Sequence, residues 1–326
     1  MEENKFIKSI RQKATLKNCR VAFPDADDIR TIKAARFLSD NSIARPVLVG
    51  NMDSISAIAN DNNISLIGFD IINPLVSSNL PEFSSMLYEK RKAKGMNEIQ
   101  AMEEVKNPLL FAGFMLETSM VDVVVGGNVS STGDVIRSAI FSVGVASGIS
   151  IVSSYFIMVL QERLLCFADC AVNPDPTAAQ LADIAISSAH NFQSVTGEYP
   201  RVAMLSFSTK GSATHPLVEK VQTATKILKD KAPDILSDGE MQADAALITS
   251  IGERKCKGSP VAGKANVLIF PDLNSGNIGY KLTERLAGAE AIGPIVQGLK
   301  KPYCDLSRGC SVDDMINVTA ICCLMA

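Results

Sequence analysis

The chain has 326 residues, of which 47% are hydrophobic and 21% charged, a balance typical of a globular protein with a large core. Its formal net charge is -3, which argues against a nucleic-acid binder that depends on phosphate contacts. The N-terminus has no apolar signal core, and no apolar run reaches the ~18 residues that a membrane span requires. We therefore expect a cytoplasmic protein of one large or two medium domains, with no membrane partner and no nucleic-acid partner.

Eight cysteines occur along the chain. None forms a C-x-x-C pair, and no Cys/His group has the spacing of zinc ligands. This usage predicts a reduced compartment and no metal site.

The first half of the chain alternates predicted strands and helices at short spacing. After a polar helix over residues 3–17, strands are predicted at 20–25, 45–50, 64–72 and 121–125. Such alternation indicates a parallel sheet covered by helices. One helical region is predicted over 81–116, and the cations around Arg91 in it are either a solvated helix end or a docking patch for a polyanion.

A loop rich in glycine and hydroxyl groups follows the predicted strand at 121–125. It contains Ser130, Ser131 and Thr132, and it leads into a helix with Arg137. The loop matches neither a P-loop nor a dinucleotide-binding fingerprint. Its position at the end of a strand predicts a phosphate contact, although a plain turn and helix cap explains the same pattern.

The second half opens with two apolar segments, 149–160 and 163–168, that predict a hairpin and a domain boundary near residue 149. Strands are then predicted at 202–207, 234–237 and 267–270. The polar loop at 208–213, after the first of them, is either an oxyanion cradle or only a polar loop. Residues 271–277, after the third, are predicted to form a ligand-facing loop. Residues 291–298 are predicted to lead the chain back to the first domain.

The most reactive stretch lies at 305–314, where Ser307, Arg308 and Asp314 occur together. A hydroxyl donor, a guanidinium fork for phosphate and a carboxylate are the parts of an anion-handling acyl-transfer site. However, Ser311-x-x-Asp314 also matches a capping box, in which the acid only stabilises the start of a helix. The spacing leaves both interpretations of Asp314 open.

Six motifs, spread along the chain in one order, resemble those of the phosphate acetyltransferase (phosphotransacetylase) family in its short single-module form. They lie at 169–177, 200–206, 208–212, 259–263, 270–274 and 305–309. The resemblance implies two three-layer α/β domains with a cleft between them. The first domain, 1–149, would be discontinuous and completed by 292–326, and the inserted second domain, 150–291, would form a homodimer.

The resemblance also implies the activity, which is reversible transfer of an acetyl group between coenzyme A and inorganic phosphate. Coenzyme A, acetyl-coenzyme A and phosphate would be substrates, with no permanently bound cofactor and no metal. Ser307, Arg308 and Asp314 match the catalytic positions of the family. The expected substrate-binding residues are Arg91, Arg137, Ser130, Ser131, Thr132, Ser208, Thr209, Lys210, Gly211 and Asn274.

Two departures from the family pattern bear on acyl preference and substrate affinity. Ser130 stands where the family often has histidine, and Cys304 stands where it often has asparagine. Transfer of a propanoyl or butanoyl group is therefore an alternative activity. A second alternative is a module that senses acetyl-coenzyme A without turning it over, because similar modules occur fused to malic enzyme.

The expected mechanism is direct transfer in a ternary complex. Asp314 would take the thiol proton, Arg308 would neutralise the leaving phosphate, and Ser307 would donate to the developing oxyanion. Ser307 as a covalent nucleophile and Cys310 as an acyl carrier are less favoured alternatives.

Overall fold

The computed structural model describes residues 4–161 and 163–326, and these group into two compact units. Unit 1 is the described part of Met1–Ala146 together with Leu299–Ala326, and unit 2 is Ser147–Gly298. Each unit has its own sheet, which lies among helices. The prediction of a two-domain α/β fold is confirmed.

Unit 1 contains a five-stranded parallel sheet with the strand order β11-β4-β1-β2-β3. Its strands are β1 Arg20–Phe23, β2 Arg45–Val49, β3 Asp70–Ile72, β4 Val123–Gly126 and β11 Tyr303–Asp305. The central strands are short, apolar and buried, as expected for a parallel sheet. The chain adds β2 and β3 on one side of β1 and then β4 and β11 on the other, so the strand order reverses between β1 and β4.

The helices of unit 1 are α1 Lys5–Lys17, α2 Ile29–Asp40, α3 Met52–Asp61, α4 Leu80–Arg91, α5 Glu98–Glu104, α6 Pro108–Glu117, α7 Thr132–Ser142 and α13 Val312–Met325. The single helical region predicted over 81–116 is therefore three helices. Gly95, whose φ is 89°, ends the 3-10 turn Lys92–Lys94 that follows the first of them, and the side chains of Asn97 and Asn107 cap the next two.

The strand predicted over 64–72 is also shorter in the structure, where only its last three residues form β3. Gly68 has a φ of 89°, which interrupts an extended chain. Residues before it, such as Ile67 (85% exposed), lie on the surface and are not paired in the sheet.

Unit 2 contains a six-stranded sheet with the order β10-β5-β6-β9-β7-β8. Its strands are β5 Ser153–Val159, β6 Leu164–Ala168, β7 Arg201–Leu205, β8 Leu236–Met241, β9 Val267–Ile269 and β10 Glu290–Gln297. Strands β5 and β6 pair in antiparallel fashion, which confirms the predicted hairpin. The pairs β6–β9, β9–β7 and β7–β8 are parallel.

The helices of unit 2 are α8 Ala178–Thr196, α9 Pro216–Lys231, α10 Ala243–Leu247, α11 Thr249–Lys255 and α12 Leu273–Ala287. The longest of them, α8, begins with a capping box between Thr177 and Gln180 and ends at Gly197, whose φ is 80°.

The segment predicted to return to the first domain from residue 292 differs from that prediction. Its first part belongs to β10, which pairs with β5 inside unit 2. Gly293-Pro294 lies in a register shift of this pairing, between Ile292 and Ile295. A bulge lets an edge strand carry a proline without losing its pairing on either side.

Candidate active site at the switch point of the first sheet

Three loops of unit 1 leave neighbouring strands at their carboxyl ends. Residues 24–28 follow β1, residues 127–131 follow β4 and residues 306–311 follow β11. Ligands of open α/β sheets bind where the strand order reverses, outside the carboxyl ends of the strands. The reversal between β1 and β4 thus makes these loops the first candidate for the active site.

Asp25, just after β1, organises the loop after β4. Its carboxylate accepts hydrogen bonds from the backbone N–H of Gly127 at 2.6 Å and from the Ser130 hydroxyl at 2.7 Å. The N–H of Val129 lies 3.4 Å from the same carboxylate. Ser130, a predicted substrate-binding residue, is therefore held against Asp25.

The other two predicted hydroxyl residues of this loop begin helix α7. The Ser131 side chain accepts from the N–H of Asp134 at 3.2 Å and donates to its carboxylate at 2.7 Å. Thr132, the first residue of α7, hydrogen-bonds the carboxylate of Asp305 at the end of β11. The interpretation of Ser131 as a helix cap is thus confirmed. A phosphate contact by the same loop stays a prediction.

Asp305 is a buried carboxylate beside this loop, with only 3% of its surface exposed. Its Oδ1 atom has no hydrogen-bond partner among the residues that the structure describes. Burial raises the pKa of Asp305 to about 6, the Thr132 hydrogen bond opposes the rise, and the charge of Asp25 adds to it. This carboxyl group accordingly titrates nearer to neutral pH than an ordinary aspartate.

Ser307 and Arg308 lie exposed on the loop after β11. The loop is anchored by the N–H of Leu306, which donates to the carbonyl of Gly126 at 2.7 Å, and by the N–H of Cys310, which donates to the carbonyl of Ser307 at 2.9 Å. Within residues 4–161 and 163–326, the guanidinium of Arg308 has neither an ion pair nor a hydrogen bond to a side chain or carbonyl. With no counter-charge among those residues, this cation suits an anionic ligand.

Asp314 closes a capping box at the start of α13. Its carboxylate accepts from the Ser311 N–H at 2.8 Å and from the Ser311 hydroxyl at 2.9 Å, while its own N–H donates to the Ser311 oxygen at 3.1 Å. The capping interpretation is confirmed. The side chain is nevertheless exposed, so the geometry leaves a second role as a base open.

Arg91 and Arg137 are brought together over one aromatic ring. The guanidinium carbon of Arg91 lies 3.9 Å from the centroid of Phe141, and that of Arg137 lies 5.1 Å from it. Arg137 also forms an ion pair with Glu104 at 3.2 Å. Both arginines sit on helices of unit 1, and Arg137 is on α7, which begins at the loop after β4.

A pocket of about 370 Å³ lies beside this pair, with Arg137 and Phe141 among its lining residues. The other residues that line it are Glu103, Glu104, Asn107, Leu110, Asp134 and Ser138. The pocket offers an aromatic face and a guanidinium to a ligand, and an anionic ligand would compete with Glu104 for Arg137.

The predicted loop of unit 2 follows β7, but two acidic side chains of β8 already engage its donors. The Ser208 hydroxyl donates to Glu240 at 2.9 Å, as does the N–H of Gly211 at 2.7 Å, and the Lys210 ammonium donates to Asp238 at 2.6 Å. Thr209 bonds Gln242 of the following turn. These donors hold the loop in place. Asn274 is separate from them, exposed in the first turn of α12 after β9.

Asp238 and Glu240 lie within a strand and are 4% and 2% exposed. Burial alone would raise the pKa of each, but hydrogen bonds outweigh it and both pKa values are lowered. For Asp238 the opposing contacts come first from Lys210, and for Glu240 first from the N–H of Gly211. Because the folded pKa is depressed, this stabilisation is present above the unfolded pKa and is lost as the pH falls below it.

We expect Lys210→Met to lower the free energy of unfolding by about 1 kcal/mol at neutral pH, because Asp238 keeps Lys229 as a partner at 3.2 Å. The difference between mutant and parent should shrink as the pH falls and Asp238 becomes protonated. Urea titration at several pH values measures it. Lys226→Met, on the exposed face of α9, serves as the matched control. A Lys210→Met loss that is independent of pH would contradict the role of Asp238.

Sequence reasoning missed Asp25, Asp238 and Glu240. Asp25 had a usable signal, since it is an acidic residue at the carboxyl end of the strand predicted at 20–25 in a parallel sheet. Acidic residues are depleted in strands, so the two in β8 argued against a strand there, and the prediction stopped at residue 237.

The alternatives that involve covalent catalysis gain no support within unit 1. Burial raises the pKa of the Cys310 thiol to about 11, which leaves it protonated and poorly nucleophilic near neutral pH. Both histidines of the sequence, His190 and His215, belong to unit 2. Ser307 therefore has no histidine base within its own unit.

No three His, Cys, Asp or Glu side chains among the described residues are grouped so as to hold a metal ion. No helix among them combines the length and the apolar character that crossing a membrane requires.

Comparison with known proteins finds relatives that match nearly the whole chain. Residues 5–323 match the family model described as phosphate acetyl/butaryl transferase. A phosphate acetyltransferase of Thermoanaerobacterium thermosaccharolyticum is 48% identical over 96% of this chain and 97% of its own length. One from Acetivibrio thermocellus is 44% identical over 98% of both. A crystal structure of a phosphotransacetylase from Streptococcus pyogenes superposes with a TM-score of 0.95 and 36% identity, covering 100% of this chain and 99% of the other.

Proposed function

The chain belongs to the phosphate acetyl/butaryl transferase family, and on that premise we propose that it transfers an acetyl group reversibly between coenzyme A and inorganic phosphate. The observation that carries the proposal is Arg308, an exposed guanidinium without a protein partner in the described chain, next to Ser307 at the switch point. A phosphate leaving group needs such a cation, because negative charge accumulates on it as the bond to the acyl carbon breaks.

The proposed transfer takes place in a ternary complex. Asp314 accepts the thiol proton of coenzyme A, and the thiolate attacks the carbonyl carbon of acetyl phosphate. The bond from that carbon to the phosphate oxygen then breaks, and phosphate leaves with both electrons of the bond. Arg308 neutralises the phosphate, and the Ser307 hydroxyl donates to the developing oxyanion, a contact that contributes about 2.7–4 kcal/mol in other enzymes.

A carboxylate is in general a weak base for a thiol, because a free thiol has a pKa of about 8.5 and free aspartic acid one of about 3.9. In the proposed mechanism a cation near the thiol favours the thiolate. The capping contacts of Ser311 hold the carboxylate of Asp314 in one orientation and leave its Oδ1 atom free of the capping bonds.

Asp314→Asn separates the two roles. As a cap variant it should lower the free energy of unfolding by about 1 kcal/mol. As a base variant it should lower kcat by about 10²-fold or more and leave the KM of acetyl phosphate nearly unchanged. Thermal unfolding and steady-state kinetics measure the two effects separately. Ser311→Ala, which removes the cap partner and keeps the carboxylate, is the control. Equal loss of kcat in both variants would reduce Asp314 to a cap.

Arg91 and Arg137 are proposed to bind the phosphate groups of coenzyme A. The support is their shared position over Phe141 and the adjoining pocket. The Ser130–Thr132 hydroxyls are proposed to contact substrate phosphate as well. Ser208, Thr209, Lys210, Gly211 and Asn274 are proposed to form the substrate-facing surface of unit 2, with Asp238 and Glu240 holding their loop rigid.

The alternatives differ from this proposal in measurable ways. A propanoyl or butanoyl transferase would rank the longer acyl phosphates above acetyl phosphate in kcat/KM. A sensing module would bind acetyl-coenzyme A and release no thiol. The exposed guanidinium of Arg308 next to the Ser307 hydroxyl favours catalytic transfer over binding of acetyl-coenzyme A without turnover.

The ternary-complex step is tested by isotope exchange. We expect no exchange of labelled phosphate into acetyl phosphate when coenzyme A is absent, and rapid exchange when it is present. Exchange without coenzyme A would require an acetyl-enzyme intermediate and would overturn direct transfer.

We also propose a homodimer in the cytoplasm. Apolar side chains recur one helical turn apart on the exposed surface of α12, at Ile278 (57% exposed), Leu282 (52%) and Leu286 (81%). The cysteine usage of the sequence, which contains no C-x-x-C pair, supports a reducing compartment. Light scattering of the parent and of Leu282→Glu tests the dimer, since a monomeric parent would contradict it.

A further inference from the structure

Arg30, in the first turn of α2, donates every N–H of its guanidinium to other parts of unit 1. One terminal nitrogen donates to the carbonyl oxygens of Arg308 and Cys310, both at 2.9 Å. The other donates to the carbonyl oxygen of Asn128 at 2.9 Å and to Asp28 at 2.6 Å. The Nε atom completes a bidentate contact with the same carboxylate, at 3.1 and 3.2 Å.

These contacts join the three loops of the switch point. Asp28 belongs to the loop after β1, Asn128 to the loop after β4, and Arg308 and Cys310 to the loop after β11. Two of the carbonyls that Arg30 binds flank Gly309, and one of them belongs to Arg308 itself. Arg30 therefore fixes the backbone from which the proposed phosphate-binding side chain projects.

Asp28 fixes Arg30 in turn. The carboxylate caps α2 through the N–H of Arg30 at 2.7 Å, and it holds the guanidinium through both oxygens. Burial alone would raise the pKa of Asp28, but the contacts with Arg30 outweigh it and lower the pKa, and the same contacts raise the pKa of Arg30. The pair therefore stays ionised. Lysine cannot reproduce the planar arrangement of N–H donors on the Arg30 guanidinium.

We propose that Arg30 is a positioning residue for transfer, which sets the distance of the Ser307-Arg308 loop from the loop at 127–131. The proposal rests on the function proposed above. Arg30 is not a catalytic residue, because none of its N–H groups is left for substrate. We call the contacts of Arg30 with the three loops the clamp. Few other bonds restrain residues 307–309, which are exposed, so loss of the clamp would displace them while leaving the sheet intact.

Arg30→Lys keeps the positive charge and removes the planar set of N–H donors of the guanidinium. Displacement of a reacting group by 1 Å costs about 10²-fold in rate, so we expect kcat to fall by about that factor. The KM of coenzyme A should stay near the parent value, because Arg91 and Arg137, which are proposed to bind it, belong to α4 and α7. Arg36→Lys is the matched control on the same helix, where the guanidinium pairs with Asp40 at 2.6 Å and with the carbonyl of Ile67 at 3.0 Å.

A second readout does not need activity. Arg308 is exposed, so limited trypsin digestion of the folded protein should cut the Arg308–Gly309 bond several-fold faster in Arg30→Lys and in the milder Asp28→Asn than in the parent or in Arg36→Lys. Mass spectrometry identifies the cut. Addition of methylguanidinium to Arg30→Ala should slow that cut and restore part of kcat, which a merely structural defect would not show.

The outcomes are distinguishable. Parent protein without phosphate-dependent acetyl transfer would refute the proposed function, while faster cutting after Arg308 in the variants would still support the clamp. Parent-like kcat and parent-like cutting in Arg30→Lys would overturn the clamp. Equal losses in Arg30→Lys and Arg36→Lys would overturn it as well, because they would reflect general loosening of α2.

Discussion

Replacement of Arg308 by glutamine is expected to lower kcat by about tenfold or more, because loss of one charge-assisted hydrogen bond of about 1.5–3 kcal/mol corresponds to at least that factor. The folded state should persist, since the Arg308 side chain is exposed and has no bonding partner in the described chain. The KM of phosphate should rise, because the same guanidinium contacts phosphate in the ground state.

Initial rates of thiol release and a thermal unfolding curve measure the two parts of this expectation. Arg308→Lys is the matched control for charge. If the bidentate fork is what binds phosphate, lysine should recover only part of the rate. Parent-like kcat in Arg308→Gln would remove Arg308 from the mechanism, together with the observation on which the proposed function mainly depends.

Gly127→Ala is expected to have the largest effect on stability. Gly127 has a φ of 102°, where side chains are rarely tolerated, and an added Cβ would lie 2.1 Å from Oδ1 of Asp305 and 2.7 Å from the N–H nitrogen of Leu306. Backbone strain of about 1–3 kcal/mol and overpacking of a similar size should together lower the free energy of unfolding by roughly 2–5 kcal/mol.

Gly133→Ala provides a matched control two residues into α7. An added Cβ there meets only the Ser131 oxygen at 3.8 Å, so the variant should be neutral or slightly more stable through better helix propensity. Urea titration of both variants measures the difference. A Gly127→Ala protein as stable as the parent would mean that the loops after β4 and β11 do not approach each other as closely as described.

Much of the first sheet was predictable from sequence because parallel strands are short apolar runs. The strands at 20–23, 45–49 and 123–126 have that pattern, and each is followed by polar residues that open a helix. The position of the Ser130–Thr132 loop at the end of a strand followed from the same pattern, whereas β11, which precedes Ser307 and Arg308, was not predicted. The predicted parallel sheet is confirmed by the pairing of β1 with β2 and β4.

The parts that could not be predicted depend on contacts between residues far apart in the chain. Arg30 binds carbonyl groups 278 and 280 residues away, and a backbone carbonyl leaves no mark in the sequence. Asp25 likewise looked like an ordinary turn residue until the Gly127 and Ser130 donors were placed beside it. The pairing of β10 with β5 joins segments on opposite sides of unit 2 in sequence, and no local pattern specifies that register.

Phosphate-dependent release of thiol from acetyl-coenzyme A is the most direct test of the proposed function. We expect the purified protein to release coenzyme A when inorganic phosphate is present, to form one acetyl phosphate for each thiol released, and to release none in buffer without phosphate. Thiol release that is independent of phosphate would indicate hydrolysis. Tight binding of acetyl-coenzyme A with no release under either condition would contradict the transferase and favour a sensing module.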